Sequence, residues 1–440
     1  MADGRQHFRH KLLTAYDLMV VSNEPIPARK DLPWPEGTIG VRSVEETRSL
    51  SVPYIAGGRL VPGAAPTESI TWLRPGGTVR ASENRVFIVG GSASFGFPYP
   101  YADTFAARLD QGLRDRGTRV FNASRVGATS GELVPVTSRI LDHYEPEVLV
   151  FFMGNNEWIH WLPEQQPGVG QKRLRLLRAL AHSRALAWVA YRFLRQQNPR
   201  SASVADRGDF EAHREISGHR YALQNPLNGE RFNPREWLLT KQRYLDAFEA
   251  NLTGMLRLAE KQGVRTIALT MPINHRLSPA WKHRQPDTFE PEKEEHVGKA
   301  LREASVLQRD GSHAEALRVL NEALASAPRS PLLNYLRGES LEALDRRAEA
   351  EAAYAQCREN MIGNLGGVLS INEVIRRTAR KTGAVLVDVQ AIFETYGHDN
   401  GSYFNQDLIH DDCHPTALGH RLIAGSLLGV IDDTADQKQP

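Results

Sequence analysis

Val86-Phe87-Ile88-Val89-Gly90-Gly91-Ser92-Ala93-Ser94-Phe95-Gly96 is an apolar run of strand length that breaks into a glycine pair and a serine before a helical pattern begins. A short, continuously apolar run suits a strand buried on both faces. The glycine pair permits a tight turn that presents Ser92 at the sheet edge. Outward from this stretch, similar runs recur at Thr118–Phe121, Val148–Met153, Val264–Thr270 and Ala384–Val389. Phe105-Ala106-Leu109-Leu113 lies between the first two with helical spacing, and Leu369-Val374-Ile375 precedes the last and ends at Gly383. Alternating strand and helix predicts an α/β fold whose parallel sheet is covered on both faces. Ligand sites in such sheets form beyond the carboxyl ends of the strands.

The bulk composition narrows the class. At 440 residues the chain is long enough for a large core and two or three structural units. Its hydrophobic share of 41% and charged share of 24% are ordinary for a globular protein. A net charge of +2 argues against a dedicated nucleic-acid surface, which needs a concentrated basic excess. Cys357 and Cys413 are the only cysteines, which excludes a disulfide framework and gives no support to a thiolate metal site. No apolar run approaches bilayer length, and the first 22 residues make a poor secretory signal. The expected location is cytoplasmic as written, or periplasmic if an N-terminal anchor has been lost.

Several segments decorate the α/β pattern. Residues 1–80 form an N-terminal extension, irregular and proline-rich at 24–37 and then carrying short strand-like stretches such as Arg59-Leu60-Val61 and Ile70-Thr71-Trp72-Leu73. A helical insertion at about 158–240 has no acid from Gln165 to Ala205 yet carries eight lysines and arginines between Lys172 and Arg200. Packing of its apolar face on the core is favoured over a membrane-surface or lid role for 171–200. A second insertion, 292–360, contains an internal repeat: His313-Ala314-Glu315-Ala316 returns as Arg347-Ala348-Glu349-Ala350, an offset of 34. That is the tetratricopeptide period, and Pro328 follows the first copy in the expected place. One and a half to two repeats fall short of the three needed for independent stability, so the segment is expected to lean on the main domain. The main domain then comprises 81–291 and 361–432, with a tail at 433–440.

The chemistry-bearing residues fall at the strand ends. Ser92 follows the first run, Asn122-Ala123-Ser124-Arg125-Val126-Gly127-Ala128-Thr129-Ser130 the second, and Gly154-Asn155-Asn156-Glu157 the third. Beyond the fifth come Asp411-Asp412-Cys413-His414-Pro415 and a further helix start. A serine at a strand-to-helix turn and a histidine with an acid three residues before it are the parts of a hydroxyl nucleophile, its general base and an orienting carboxylate.

In this order, the segments resemble the sequence blocks of the SGNH (GDSL) serine hydrolases, over roughly 81–290 and 361–432. Within that family the likeness is greatest to bacterial members carrying tetratricopeptide repeats. The resemblance implies a three-layer, flavodoxin-like fold with a five-stranded parallel sheet, and an enzyme that acts on ester bonds. It implies catalytic roles for Ser92, Asp411 and His414. It also implies an oxyanion hole formed by the N–H groups of Ser92 and Gly127 and the side-chain amide of Asn156. Gly91 and Ala93 replace the Asp and Leu of the namesake motif, a change expected to affect the local turn more than the chemistry.

Rival motifs fit poorly. A dinucleotide fingerprint would need glycine at 92 and 95, where the chain has Ser92 and Phe95. An α/β-hydrolase elbow would want glycine at 94. His410, Asp411, Cys413, His414 and His420 cluster closely, but Pro415 breaks any helix that would align His410 with His414, and no metal site or cofactor is assigned. Expected partners are a small-molecule, glycan or lipid acyl ester, and a protein through the 292–360 repeats. The readings carried forward are ester hydrolysis, acyl transfer through the same residues, and an interaction protein with a vestigial hydrolase domain.

Overall fold

The computed structural model describes residues 39–41, 54–56, 59–61, 71–73, 84–97, 99, 101–125, 127–157, 234–276, 291–361, 367–401, 407–409, 411 and 413–432. All of them belong to one compact unit, Pro25–Trp158 with Asn233–Pro440. The basic segment 171–200, most of the insertion at 158–240, the proline-rich 24–37 and the tail 433–440 lie outside the described residues.

Four three-residue strands come first: β1 (Ile39–Val41), β2 (Tyr54–Ala56), β3 (Arg59–Val61) and β4 (Thr71–Leu73). They form two antiparallel pairs, β1 with β4 and β2 with β3. The main sheet follows, built from β5 (Asn84–Gly90), β6 (Thr118–Asn122), β7 (Val148–Phe152), β8 (Arg265–Leu269) and β9 (Val385–Val387). Its order is β6-β5-β7-β8-β9 and every pairing is parallel. Val86 to Val89, and all of β7, are buried, which is why these strands read as unbroken apolar runs rather than alternating ones. The last apolar run splits: Val385–Val387 is strand, whereas Val389 opens a helix capped by the Asp388 carboxylate, which accepts from Ala391 N at 3.2 Å.

The helices are α1 (Ser92–Phe95), α2 (Phe105–Arg114), α3 (Ser130–His143), α4 (Pro234–Lys261), α5 (Pro291–Arg309), α6 (His313–Ser326), α7 (Pro331–Ala343), α8 (Arg347–Asn360), α9 (Val368–Thr382), α10 (Val389–Asn400) and α11 (Ala417–Asp432). Helix α4 therefore already begins inside the stretch expected to be insertion up to about residue 240. From β5 the chain crosses through α2 to β6 on one side, then returns through α3 to β7 on the other. Right-handed crossovers in opposite directions put α2 and α3 on opposite faces. Helix α11 packs with α2, while α4 packs with α3 and α9 with α4, giving a helical layer on each face. The fit between α2 and α11 is close, since a Cβ on Gly112 would lie 2.8 Å from Leu428. Among the described residues no helix is long and apolar enough to cross a membrane.

Helices α5 to α8 sit between β8 and α9 and repeat at 34 residues down to single hydrogen bonds. Ser312 N donates to Leu307 O at 2.8 Å, and Arg346 N to Leu341 O at 2.9 Å. Gly311 and Asp345, at the same point of the two turns, take positive φ of 75° and 57°. Small alanines (Ala300, Ala304, Ala316, Ala323) let these helices pack closely around Leu320, Leu333 and Leu336. The block is fastened to the main domain by Glu359 of α8. Its carboxylate accepts from Leu369 N and Ser370 N at 3.1 and 3.2 Å, capping α9, and pairs with Lys241 of α4.

Candidate active site

Gly90 ends β5 in a place that only a hydrogen side chain fits: a Cβ there would lie 2.0 Å from Phe152 O and 2.6 Å from Ser94 Cβ. The strand thus runs close against β7 and turns directly into α1, whose first residue is Ser92. As the opening residue of a helix, Ser92 has a backbone N–H with no intrahelical carbonyl to bond. The turn is braced behind by Ser94, whose hydroxyl meets that of Ser124 at 2.7 Å, and by Asn122 Nδ2 donating to Ser94 O at 3.0 Å.

His414 reaches this serine from the other end of the chain. Ile409 and Pro415 form a lone bridge and Thr416 N donates to Leu408 O at 2.8 Å, which ties both sides of Asp411, Cys413 and His414 together just before α11. Gly419 allows the close approach, because a Cβ there would lie 2.4 Å from Leu408 O. His414 Nε2 stands 2.8 Å from Ser92 Oγ, and Nδ1 stands 2.7 Å from Asp411 Oδ2. The other oxygen of Asp411 accepts the backbone N–H groups of Cys413 (3.0 Å) and His414 (2.9 Å), so the carboxylate organises the loop as well as the ring. Phe97 meets the imidazole edge-on, with centroids 5.1 Å apart. Burial by itself would raise the Asp411 carboxyl, but the adjacent His414 ring and the two backbone N–H donors outweigh it and hold the group well below the usual carboxylate range. An ionised Asp411 accepts the Nδ1 proton, which leaves the Nε2 lone pair facing the serine hydroxyl.

Asn156 lies on the loop after β7. Its Nδ2 donates to Ala128 O at 3.0 Å and would lie 2.9 Å from a Cβ on Gly91, beside the serine turn. Gly127 sits at φ 75° in the loop after β6, which Arg125 N fastens to Gly90 O at 2.9 Å. Among the described residues no hydrogen bond joins Gly127 to Ser92, Asn156, Asp411 or His414. Of the residues singled out in the sequence, Ser92, His414 and Asp411 are thus bonded in line, Asn156 touches their turn, and Gly127 is placed through its loop.

Three further residues shape the site without having been assigned a part in it. Asn274 Nδ2 donates to Asp411 O at 2.5 Å, Asn155 Nδ2 to Cys413 Sγ at 3.3 Å, and Glu157 accepts from Ser130 N and Oγ. Asn155 and Glu157 flank Asn156, and Asn274 follows β8, so position at a strand end was the available signal. Of the histidine-rich cluster considered for a metal, Asp411, Cys413 and His414 do converge, but two of the three are committed to the line with Ser92. His420 instead stacks on Phe105 with centroids 5.8 Å apart, and His410 lies outside the described residues. The fold also assembles a second group, His275, Glu351 and Glu394, where no second ligand cluster was evident in the sequence.

No family model and no curated protein matches the chain. Similar solved structures include LAE5, an α/β hydrolase from the metagenome of Lake Arreo, Spain: identity is 14%, TM-score 0.33, covering 80% of this chain and 97% of that one. The acetyl xylan esterase AlAXEase is 11% identical at TM-score 0.35, covering 79% and 99%. A GDSL-like lipase from Bacteroides thetaiotaomicron VPI-5482 is 10% identical at TM-score 0.33, covering 80% and 89%. Likeness of this degree says nothing about substrate, and the chemistry is read from the residues above.

Proposed function

We propose that this chain is a serine-dependent carboxylic-ester hydrolase of SGNH type, working through an acyl-enzyme on Ser92. The observation that carries the reading is the unbroken line from Ser92 Oγ through His414 to Asp411, at 2.8 and 2.7 Å. In this reading Ser92 Oγ attacks the acyl carbon while His414 Nε2 takes its proton, and Asp411 holds the ring in the required tautomer. The negative oxygen of the tetrahedral intermediate is received by the N–H groups of Ser92 and Gly127 and by the second N–H of the Asn156 amide, whose first bonds Ala128. His414 then returns the proton to the departing alcohol, and water repeats the sequence on the acyl-enzyme.

The substrate class is an acyl ester of a small molecule, a glycan or a lipid. The test is a panel of p-nitrophenyl esters from acetyl to long acyl, run with the parent and with Ser92→Ala. Turnover in the parent should fall about 10³-fold or more in the variant. Ester cleavage that survives the substitution would defeat the reading. Repeating the assay with an acceptor alcohol and identifying the products separates hydrolysis from acyl transfer. For α5 to α8 we read a tetratricopeptide-like block that limits substrate size or docks a protein, supported by the 34-residue spacing of its turns.

A further inference from the structure

Four side chains from three separate parts of the chain meet away from Ser92. His275 follows β8, Glu351 lies on α8 of the inserted block, and Glu394 and His398 lie on α10 at a spacing that puts both on one helix face. His275 Nε2 is 3.3 Å from Glu394 Oε1 and 4.0 Å from Glu351 Oε1, and His398 Nε2 is 3.2 Å from Glu351 Oε2. The His275 side chain is 2% exposed and its Nδ1 has no partner among the described residues, so the carboxylate pair faced by Nε2 is its polar anchor.

Among the described residues no lysine or arginine ion-pairs with Glu351 or Glu394. Two carboxylates and a buried imidazole make up a donor set of the kind that holds a divalent cation. A tetrahedral ion with bonds of about 2.0–2.1 Å separates its ligand atoms by about 3.3 Å. The ligand atoms of His275, Glu351 and Glu394 all lie within 4.8 Å of one another, an excess over that span that flexible carboxylates can close.

We infer that His275, Glu351 and Glu394 form a zinc site, its fourth position left to water and His398 bonding Glu351 beside it, that clips the inserted helices to the edge of the main sheet. Mixed imidazole and carboxylate donors select Zn²⁺ over Mg²⁺ or Ca²⁺, which favour all-oxygen shells. The inference is independent of whether Ser92 hydrolyses esters.

The test uses the full chain, stripped with EDTA and titrated with Zn²⁺ by calorimetry, with bound metal counted by mass spectrometry. One equivalent should bind and raise the unfolding midpoint, while Mg²⁺ and Ca²⁺ at the same concentration should not. Glu351→Gln and Glu394→Gln should each weaken Zn²⁺ binding by about tenfold or more, with far-UV dichroism checking that they fold. Co²⁺ loaded into the parent should show no thiolate-to-cobalt absorption band, a reading that needs no variant. The inference is overturned if the parent binds no equivalent of Zn²⁺. It is equally overturned if a thiolate band appears, or if binding survives both glutamine variants but is lost in Cys413→Ser, which would assign the metal to Asp411, Cys413 and His414.

Discussion

Glu157 receives the backbone N–H of Ser130 at 2.8 Å and its hydroxyl at 2.7 Å, joining the loop after β7 to the first turn of α3. This bond fixes the two loops that carry Asn156 and Gly127 relative to each other. Asn251 of α4 adds a third contact, donating from Nδ2 to Ser130 Oγ at 3.0 Å. Glu157→Ala removes a buried acceptor and strands both donors of Ser130, which should cost about 1–3 kcal/mol of stability. Urea unfolding measures that loss. Because Glu157 acts through Asn156 and Gly127, kcat should also fall while KM changes little. A variant as stable and as fast as the parent would show that the two loops hold themselves.

Gly91 stands where the motif that the sequence resembles has aspartate, and the structure gives the consequence. Its φ of −88° is open to any residue, so the constraint is space: a Cβ would lie 2.9 Å from Asn156 Nδ2 and 3.1 Å from Asn155 Oδ1. Gly91→Ala should therefore push the Asn156 amide off its position without disturbing the sheet. Losing one donor to a developing oxyanion costs about 10²–10³ in turnover. The expected outcome is a fall of that order in kcat on a p-nitrophenyl ester, with an unfolding midpoint near the parent's. Unchanged kcat would remove Asn156 from the proposed oxyanion hole.

The sheet was legible because its strands are buried on both faces, so Val86–Val89 and Val148–Phe152 appear as solid apolar runs. Helix α10 was hidden because the apolar run continues past the end of β9 into Val389, and only the Asp388 side chain marks the change. The line from Ser92 to Asp411 was readable for a local reason: Asp411 and His414 are three residues apart in one loop, and Ser92 sits at a turn that glycines announce. Asn274 holding Asp411 across 137 positions left no such trace, and neither did the meeting of His275, Glu351 and Glu394. Contacts of that range are created by the crossovers of the sheet and by the inserted block, which juxtapose residues that share no local pattern.

Cys357 offers a check on packing inside the inserted block. It lies on α8, fully buried, and desolvation pushes its thiol up to about 12, with Arg358 nearby opposing the shift. The thiolate is the reactive form, so the native protein should leave Cys357 unmodified by iodoacetamide at pH 8. Unfolding in urea should make it react readily. Labelling of Cys357 in the native state, located by peptide mass mapping, would mean that α8 opens far more often than its packing suggests.

The acid response of the fold follows from Asp411. Its carboxyl is buried, which would raise it, but the His414 ring and the N–H groups of Cys413 and His414 hold it below its unfolded value of about 3.9. A group depressed in the folded state contributes stability that is complete above the unfolded value and disappears as pH falls through the folded one. The parent should therefore lose stability progressively below about pH 4, beyond the loss shared with its other carboxylates. In Asp411→Asn that added loss is absent, so the two stability curves should converge toward acid and separate toward neutrality. The asparagine keeps one oxygen for the backbone N–H groups but cannot favour the Nδ1–H tautomer, so kcat should drop about 10³–10⁴-fold at neutral pH. Unfolding curves for both proteins from pH 2 to 7, beside kcat at pH 7, test the two halves separately. Parallel stability curves would show that the carboxylate is not depressed by the fold, and undiminished turnover in the variant would remove Asp411 from the proposed catalytic line.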